Sequence, residues 1–340
     1  MEDLCEGFFI ETSENLIFHV KGFNHPSDGF ISFLRYIPSK SGSRERNGEK
    51  FKKIYSMNEK FSFLEENYPK YVKFSEKINK KIQFVKSSEI KRIYNPKEKL
   101  KKIIENKPDN PLKLKTLDFV EELLEQGVNI ENLGITGSIL TELHTQNSDI
   151  DLIGYGFEEG KKIYSALDKL RKKESKISPY NRQGAEKIAK FRWKNSPLDL
   201  KAFLSIEKNK ILHGKFENKD YFFRLARQPK ESEYEFENTS FRRIGTAKIR
   251  GRIKDDKYSI FTPNKYPIDC KKIENQENLE IENIFSYRGK FTEQAKKNEE
   301  ILAEGRLEKI NYENGTKTRM ILGKPKEYMI PINDKTKKHL

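Results

Sequence analysis

The sequence predicts an α+β protein of several domains: a β-rich N-terminal domain, a central α/β core, and a C-terminal antiparallel β domain folded as a small barrel or sandwich. Three observations lead there. Residues 6–37 read as short alternating strands. Residues 112–204 switch between helical and strand periods. After about residue 206 the apolar period returns to two. A break at Lys107-Pro108-Asp109-Asn110-Pro111 lies near the first boundary. The expected domains are 1–95, 96–206 and 207–340.

In the N-terminal part, Phe8-Phe9-Ile10 and Leu16 to Val20 flank a turn at Thr12 to Asn15, and Phe30 to Ile37 is a further strand. Residues 38–53 are polar and basic, with Arg44, Arg46, Lys50, Lys52 and Lys53 around Gly42 and Gly48. They read as a basic hairpin or a mobile arm that could hold phosphates, with Tyr36, Phe51 and Tyr55 nearby for stacking. The plain alternative is a solvated loop. A helix is expected near 58–66, ended by Pro69, and another after Pro96 with Leu100, Ile103 and Ile104 inward.

The core begins with a helix near 112–127, where Leu117, Val120, Leu123 and Leu124 share a face and Gly127 caps the end. A strand to Thr136, a helix to about His144, a strand from Asp149 to Tyr155 and a helix from about 160 to 173 follow. Lys190 to Trp193 and Leu198 to Leu204 read as the next strands. Beyond them, residues 247–253, 258–261, 280–287, 301–310 and 318–322 read as strands, with Asn314-Gly315 as a hairpin turn. The tail 334–340 is expected to be flexible.

The segment 133–156 contains the most chemistry. Gly137-Ser138 opens a short apolar helix; after ten intervening residues comes Asp149-Ile150-Asp151-Leu152-Ile153. Residues i and i+2 of a strand point to one side, so Asp149 and Asp151 project together while Ile150 and Leu152 face the core. Two such carboxylates repel unless a cation lies between them. Hard oxygen ligands suit Mg²⁺. Two ions roughly 3.5–4 Å apart would clamp the attacking and leaving oxygens of a phosphoryl displacement. Glycine allows close backbone approach to a phosphate, and the helix start offers free N–H groups.

This arrangement resembles the nucleotidyltransferase superfamily of DNA polymerase β: a hydrophobic residue, Gly, Gly or Ser, about ten residues, then Asp-x-Asp. Here those positions are Thr136, Gly137, Ser138, Asp149 and Asp151; Thr136 departs from the usual apolar residue. More loosely, the whole chain looks like archaeal proteins described only as predicted nucleotidyltransferases. The resemblance implies a polymerase β-like core and a third carboxylate on a later strand. The best match is Asp199 in Pro-Leu-Asp-Leu-Lys-Ala-Phe-Leu, with Lys201 on its face. It also implies a nucleoside triphosphate donor and two Mg²⁺ (or Mn²⁺) ions on Asp149, Asp151 and Asp199. The β,γ-phosphates would lie on Gly137 and Ser138.

The 67 basic and 52 acidic residues give a net charge of +15. That excess favours a polyanion, so the expected acceptor is a nucleic-acid end, RNA or DNA, with a protein or small-molecule acceptor left open. Lys248, Arg250 and Arg252 share a strand face and could line a backbone; the plain alternative is the wet face of an antiparallel strand. The rival function is a non-catalytic nucleic-acid-binding protein that keeps the fold as a scaffold. Cys5 and Cys270 form no disulfide framework, there is no signal-like or membrane-spanning run, and no Walker-type phosphate loop occurs. A cytoplasmic home is expected.

Overall fold

The computed structural model describes residues 4–173, 175–274, 279–334 and 336–337. The flexible tail expected at 334–340 falls largely outside them. The chain forms two compact units, Met1–Ala166 with Lys219–Glu237, and Leu167–Asn218 with Asn238–Leu340. Neither expected boundary, 95/96 or 206/207, coincides with a change of unit.

The first unit begins with β1 (Phe9–Thr12), β2 (Ile17–Val20), β3 (Gly29–Pro38), β4 (Arg44–Arg46) and β5 (Glu49–Lys53). Helix α1 (Met57–Asn67), β6 (Val72–Ser75), β7 (Lys80–Lys86) and β8 (Ile90–Tyr94) follow. The sheet runs β4-β5-β3-β2-β1-β8, with β7 pairing both β3 and β6. Residues 38–53 are therefore a hairpin at the sheet edge and not a mobile arm. Asn47 and Gly48, both at positive φ (52° and 78°), make the two-residue turn that matches strand twist.

Next come α2 (Pro96–Asn106) and α3 (Pro111–Leu124). Asn95 and Asn110 cap them, each accepting backbone N–H bonds. Then β9 (Leu133–Ile135), α4 (Gly137–Leu140), β10 (Ile150–Tyr155) and α5 (Phe157–Lys172) complete this stretch. Strand β9 pairs antiparallel with β10. Phe9, Ile17, Tyr36 and Phe51 of the N-terminal sheet pack with Leu140 and Leu143 in one core, and Ile10, Phe18 and Leu34 share another with Ile153 and Tyr155. The two sheets of this unit are thus fused by their cores.

In the second unit, β11 (Ile177–Ser178), α6 (Arg182–Trp193), α7 (Leu200–Asn209) and β12 (His213–Phe216) lead to β13 (Lys219–Ala226), which returns to the first unit. The two strands expected at 190–193 and 198–204 are helical. Ala185, Ala189 and Trp193 recur at helical spacing and are buried, as are Ala202, Phe203 and Ile206. The Trp193 and Phe203 rings stack at 4.1 Å. Burying that stripe decides the conformation over the local alternation of Leu198, Leu200 and Ala202.

The barrel strands are β14 (Ser240–Ile253), β15 (Asn264–Glu274), β16 (Asn283–Ser286), β17 (Glu300–Tyr312), β18 (Gly315–Leu322) and β19 (Tyr328–Pro331). Their order is β14-β15-β16-β18-β17, and β14–β17 pairing closes the ring into a five-stranded barrel; β19 adds to β17. The hairpin at Asn314-Gly315 forms, with Tyr312 opposite Gly315. Residues 258–260 are a turn and Phe261 makes only an isolated bridge, so no strand forms there. Tyr266, Ile268, Met320 and Leu322 fill the interior with the buried faces of α6 and α7. Fully buried Glu207 of α7 binds Arg192 (2.7 Å), Trp193 Nε1 (2.7 Å) and Lys210 (3.1 Å). Its pKa falls to about 2: the neighbouring Lys210 and Arg192 charges outweigh the opposing cost of burial.

Candidate active site

The site lies in the first unit, where β9, α4 and β10 meet. Backbone pairing sets the frame: Leu152 opposes Ile135, and Thr136 N–H donates to the Asp151 carbonyl at 2.9 Å. Thr136, the departure from an apolar residue, is buried and its hydroxyl donates to the Gly7 carbonyl at 2.7 Å. It ties the site to the N-terminal segment, which an apolar side chain would not do.

Gly137 is indispensable on two counts. Its φ is +67°, and a Cβ there would lie 2.7 Å from Asp151 Cγ and closer still to Oδ2. The Asp151 carboxylate thus rests against the glycine face. Helix α4 is a single turn ending at Thr141, shorter than the expected run to His144; Glu142 turns the chain at φ +55°.

Asp149 directly precedes β10 and Asp151 lies within it, and the Asp151 charge acts on Asp149. Asp149 is exposed as a residue, but the atoms around its carboxyl group desolvate it. That desolvation, then the charges of Asp151 and Asp220, pushes its pKa up to about 6. Desolvation also raises the Asp151 pKa, against the charges of Lys53, Arg224, Arg35 and Arg44. Neither carboxylate has a hydrogen bond or ion pair with a described residue. A pair so placed, with no protein cation in contact, suits an external divalent ion. Among the described residues no three His, Cys, Asp or Glu side chains stand close enough to hold a metal. An ion at Asp149 and Asp151 would complete its shell with phosphate oxygens and water, the usual habit of Mg²⁺.

Asp199 is not on a strand. It caps α7, accepting from Lys201 N–H at 2.9 Å, and belongs to the second unit. The strand beside β10 is β13, parallel to it, with Ile150 opposite Tyr221 and Asp151 opposite Phe222. One step earlier, this register sets Asp220 across from Asp149 on the same sheet face. In the sequence, Asp220 opens an apolar strand, Asp220-Tyr221-Phe222-Phe223, a pattern that also makes it a candidate. It lay beyond the boundary expected at 206, and the leucines flanking Asp199 imitated it better.

The basic residues divide sharply. Arg44 bonds to the Leu143 carbonyl and reaches Ser148 Oγ at 3.4 Å. Arg46 pairs with Glu11 at 2.6 Å, bonds to the Tyr94 hydroxyl and reaches the Thr141 carbonyl at 3.3 Å. These two brace residues 141–148 and are not free to grip a polymer. Lys52 pairs with Glu59 at 2.9 Å, while Lys50 is exposed. Lys53 is half-buried, and its charge acts on Asp149 and Asp151 without an ion pair to either. On the barrel, Lys248, Arg250 and Arg252 share the outer face of β14, but Glu274 pairs with the first and Glu300 with the other two.

The fused sheets, the Gly-Ser turn and the paired carboxylates define a nucleotidyltransferase-type protein. The family model described as nucleotidyltransferase domain matches residues 115–209, a span that contains Gly137, Ser138, Asp149, Asp151 and Asp199 and stops before Asp220. An uncharacterized protein of Methanocaldococcus jannaschii is 32% identical over 329 residues, covering 94% of this chain and 95% of the relative. The chain belongs to this polymerase β-like nucleotidyltransferase family. No solved structure matches it. Among the described residues, no helix is long and apolar enough to cross a membrane.

Proposed function

We propose that this protein is a divalent-metal-dependent nucleotidyltransferase that moves a nucleoside monophosphate from a triphosphate to an acceptor, releasing pyrophosphate. The observation that supports it most is the Asp149–Asp151 pair, with raised pKa values and no protein partner, beside the cradle of Gly137. Asp149 and Asp151 would hold Mg²⁺ or Mn²⁺, with substrate oxygens completing the shell. Metal bound there would favour deprotonation of the attacking acceptor hydroxyl and neutralise charge on the leaving pyrophosphate oxygen. Gly137 and Ser138 receive the β,γ-phosphates. Asp220 takes the role expected of Asp199: it orients the acceptor hydroxyl and accepts its proton. The acceptor is a nucleic-acid end: the net charge of +15 favours a polyanion, held by cations other than the engaged Arg44, Arg46, Lys248, Arg250 and Arg252.

The test is transfer of label from each α-labelled triphosphate to RNA or DNA, with pyrophosphate release, in the presence and absence of Mg²⁺ or Mn²⁺. Transfer by the wild type and its loss in Asp149→Asn are expected. No transfer from any triphosphate by the folded wild type, or undiminished transfer by Asp149→Asn, overturns the reading.

A further inference from the structure

Three side chains of the N-terminal sheet stand apart from the paired surface around them. Tyr55 is 60% exposed, among the most exposed large aromatics described. The Arg35 guanidinium lies 5.3 Å from its ring centre and the Lys53 ammonium 5.0 Å. The backbone fixes this grouping: Tyr36 opposes Lys53 across β3 and β5, and Ile54 N–H donates to the Arg35 carbonyl at 3.0 Å.

The side chains of Arg35 and Lys53 make no ion pair or hydrogen bond with a described residue. Their neighbours Arg46 and Lys52 do, through Glu11 and Glu59. A merely wet sheet edge would leave no reason for this contrast. Both cations also act on the carboxylate site: Arg35 and Lys53 lie within electrostatic reach of Asp151, and Lys53 of Asp149 as well. Cations without an ion pair, within electrostatic reach of the carboxylates, suit an anion, and the exposed ring they lie against suits a planar group.

We infer that Arg35, Lys53 and Tyr55 form the clamp for the incoming nucleoside triphosphate, Tyr55 stacking on its base and the two cations taking its phosphate charge. The inference rests on the nucleotidyltransferase reading above. The donor is assigned here because two cations on one exposed ring match a ligand that carries both phosphate charge and a planar base, as a nucleoside triphosphate does. Aromatic platforms hold bases of any identity by their π faces, so the clamp gives affinity without choosing the base.

Calorimetric titration of the full chain with a nucleoside triphosphate and with inorganic tripolyphosphate separates the roles. Tyr55→Ala should weaken the nucleotide about tenfold, the loss typical of one base–aromatic stack, and leave tripolyphosphate unchanged. Tyr55→Phe should bind as wild type. Lys53→Gln and Arg35→Gln should weaken both ligands. Unchanged nucleotide affinity in Tyr55→Ala, equal loss of both ligands there, or unchanged tripolyphosphate affinity in Lys53→Gln overturns the clamp while transfer by the wild type keeps the catalytic reading. A wild type that binds neither ligand removes both.

Discussion

Replacing Gly137 by alanine tests the geometry of the site most directly. Two costs can be worked out. A residue with a Cβ held at φ +67° loses about 1–2 kcal/mol. The new methyl would also lie 2.7 Å from Asp151 Cγ, where carbon atoms in contact keep about 3.5–4.0 Å. Asp151 must therefore retreat by roughly 1 Å, and a misplacement of that size costs about 10²-fold in rate. Gly48→Ala is the internal control. Gly48 has φ +78° but nothing within 4 Å of its would-be Cβ, so it incurs the backbone cost alone. Denaturant unfolding should give a loss of about 1–2 kcal/mol for Gly48→Ala. Gly137→Ala should lose about 1–3 kcal/mol more, from overpacking. Label transfer should survive in Gly48→Ala and fall about 100-fold in Gly137→Ala. If the two variants match in both stability and transfer, Asp151 does not rest on Gly137 in the way described.

Asp220 and Asp199, the two candidates for the third carboxylate, are separated by a pair of variants. Asp220→Asn should abolish transfer. Asp199→Asn, which preserves a good helix cap, should keep both transfer and stability, and Asp199→Ala should lose only about 1 kcal/mol in unfolding experiments. Metal affinity should depend on pH with a defined sign. The Asp149 pKa of about 6 means that the free site is protonated below that pH, so Mn²⁺ affinity, followed by calorimetry, should be flat above pH 7 and fall steadily below 6. In the second unit, the depressed Glu207 pKa supplies stability that is present above the usual carboxyl range near 4.5 and is lost as pH falls through about 2. Glu207→Gln should strand Arg192 and Lys210 and cost about 3–5 kcal/mol by urea denaturation.

Local sequence alone determined a good deal here. The Gly137-Ser138 and Asp149-x-Asp151 pattern needs only a turn, a one-turn helix and a strand, each governed by neighbours a few residues away. The hairpin at Asn314-Gly315 and the asparagine-capped helices are local for the same reason. Tertiary structure decided the rest. The run from Leu198 to Leu204 satisfies a period of two and nearly satisfies 3.6, and only packing of Phe203 on Trp193 makes it a helix. With that strand gone, the choice of Asp220 follows from pairing between β10 and β13, which are some 70 residues apart in the chain. Barrel closure depends likewise on β14 meeting β17, a register that no local pattern encodes. The basic hairpin makes the same point through charge. The sequence showed the number of cations, but Glu11, Glu59 and the carbonyls of residues 141 and 143 determine which are already engaged. Charge composition is a property of the chain. Which charges remain available is a property of the fold, because an ion pair needs both partners within about 4 Å.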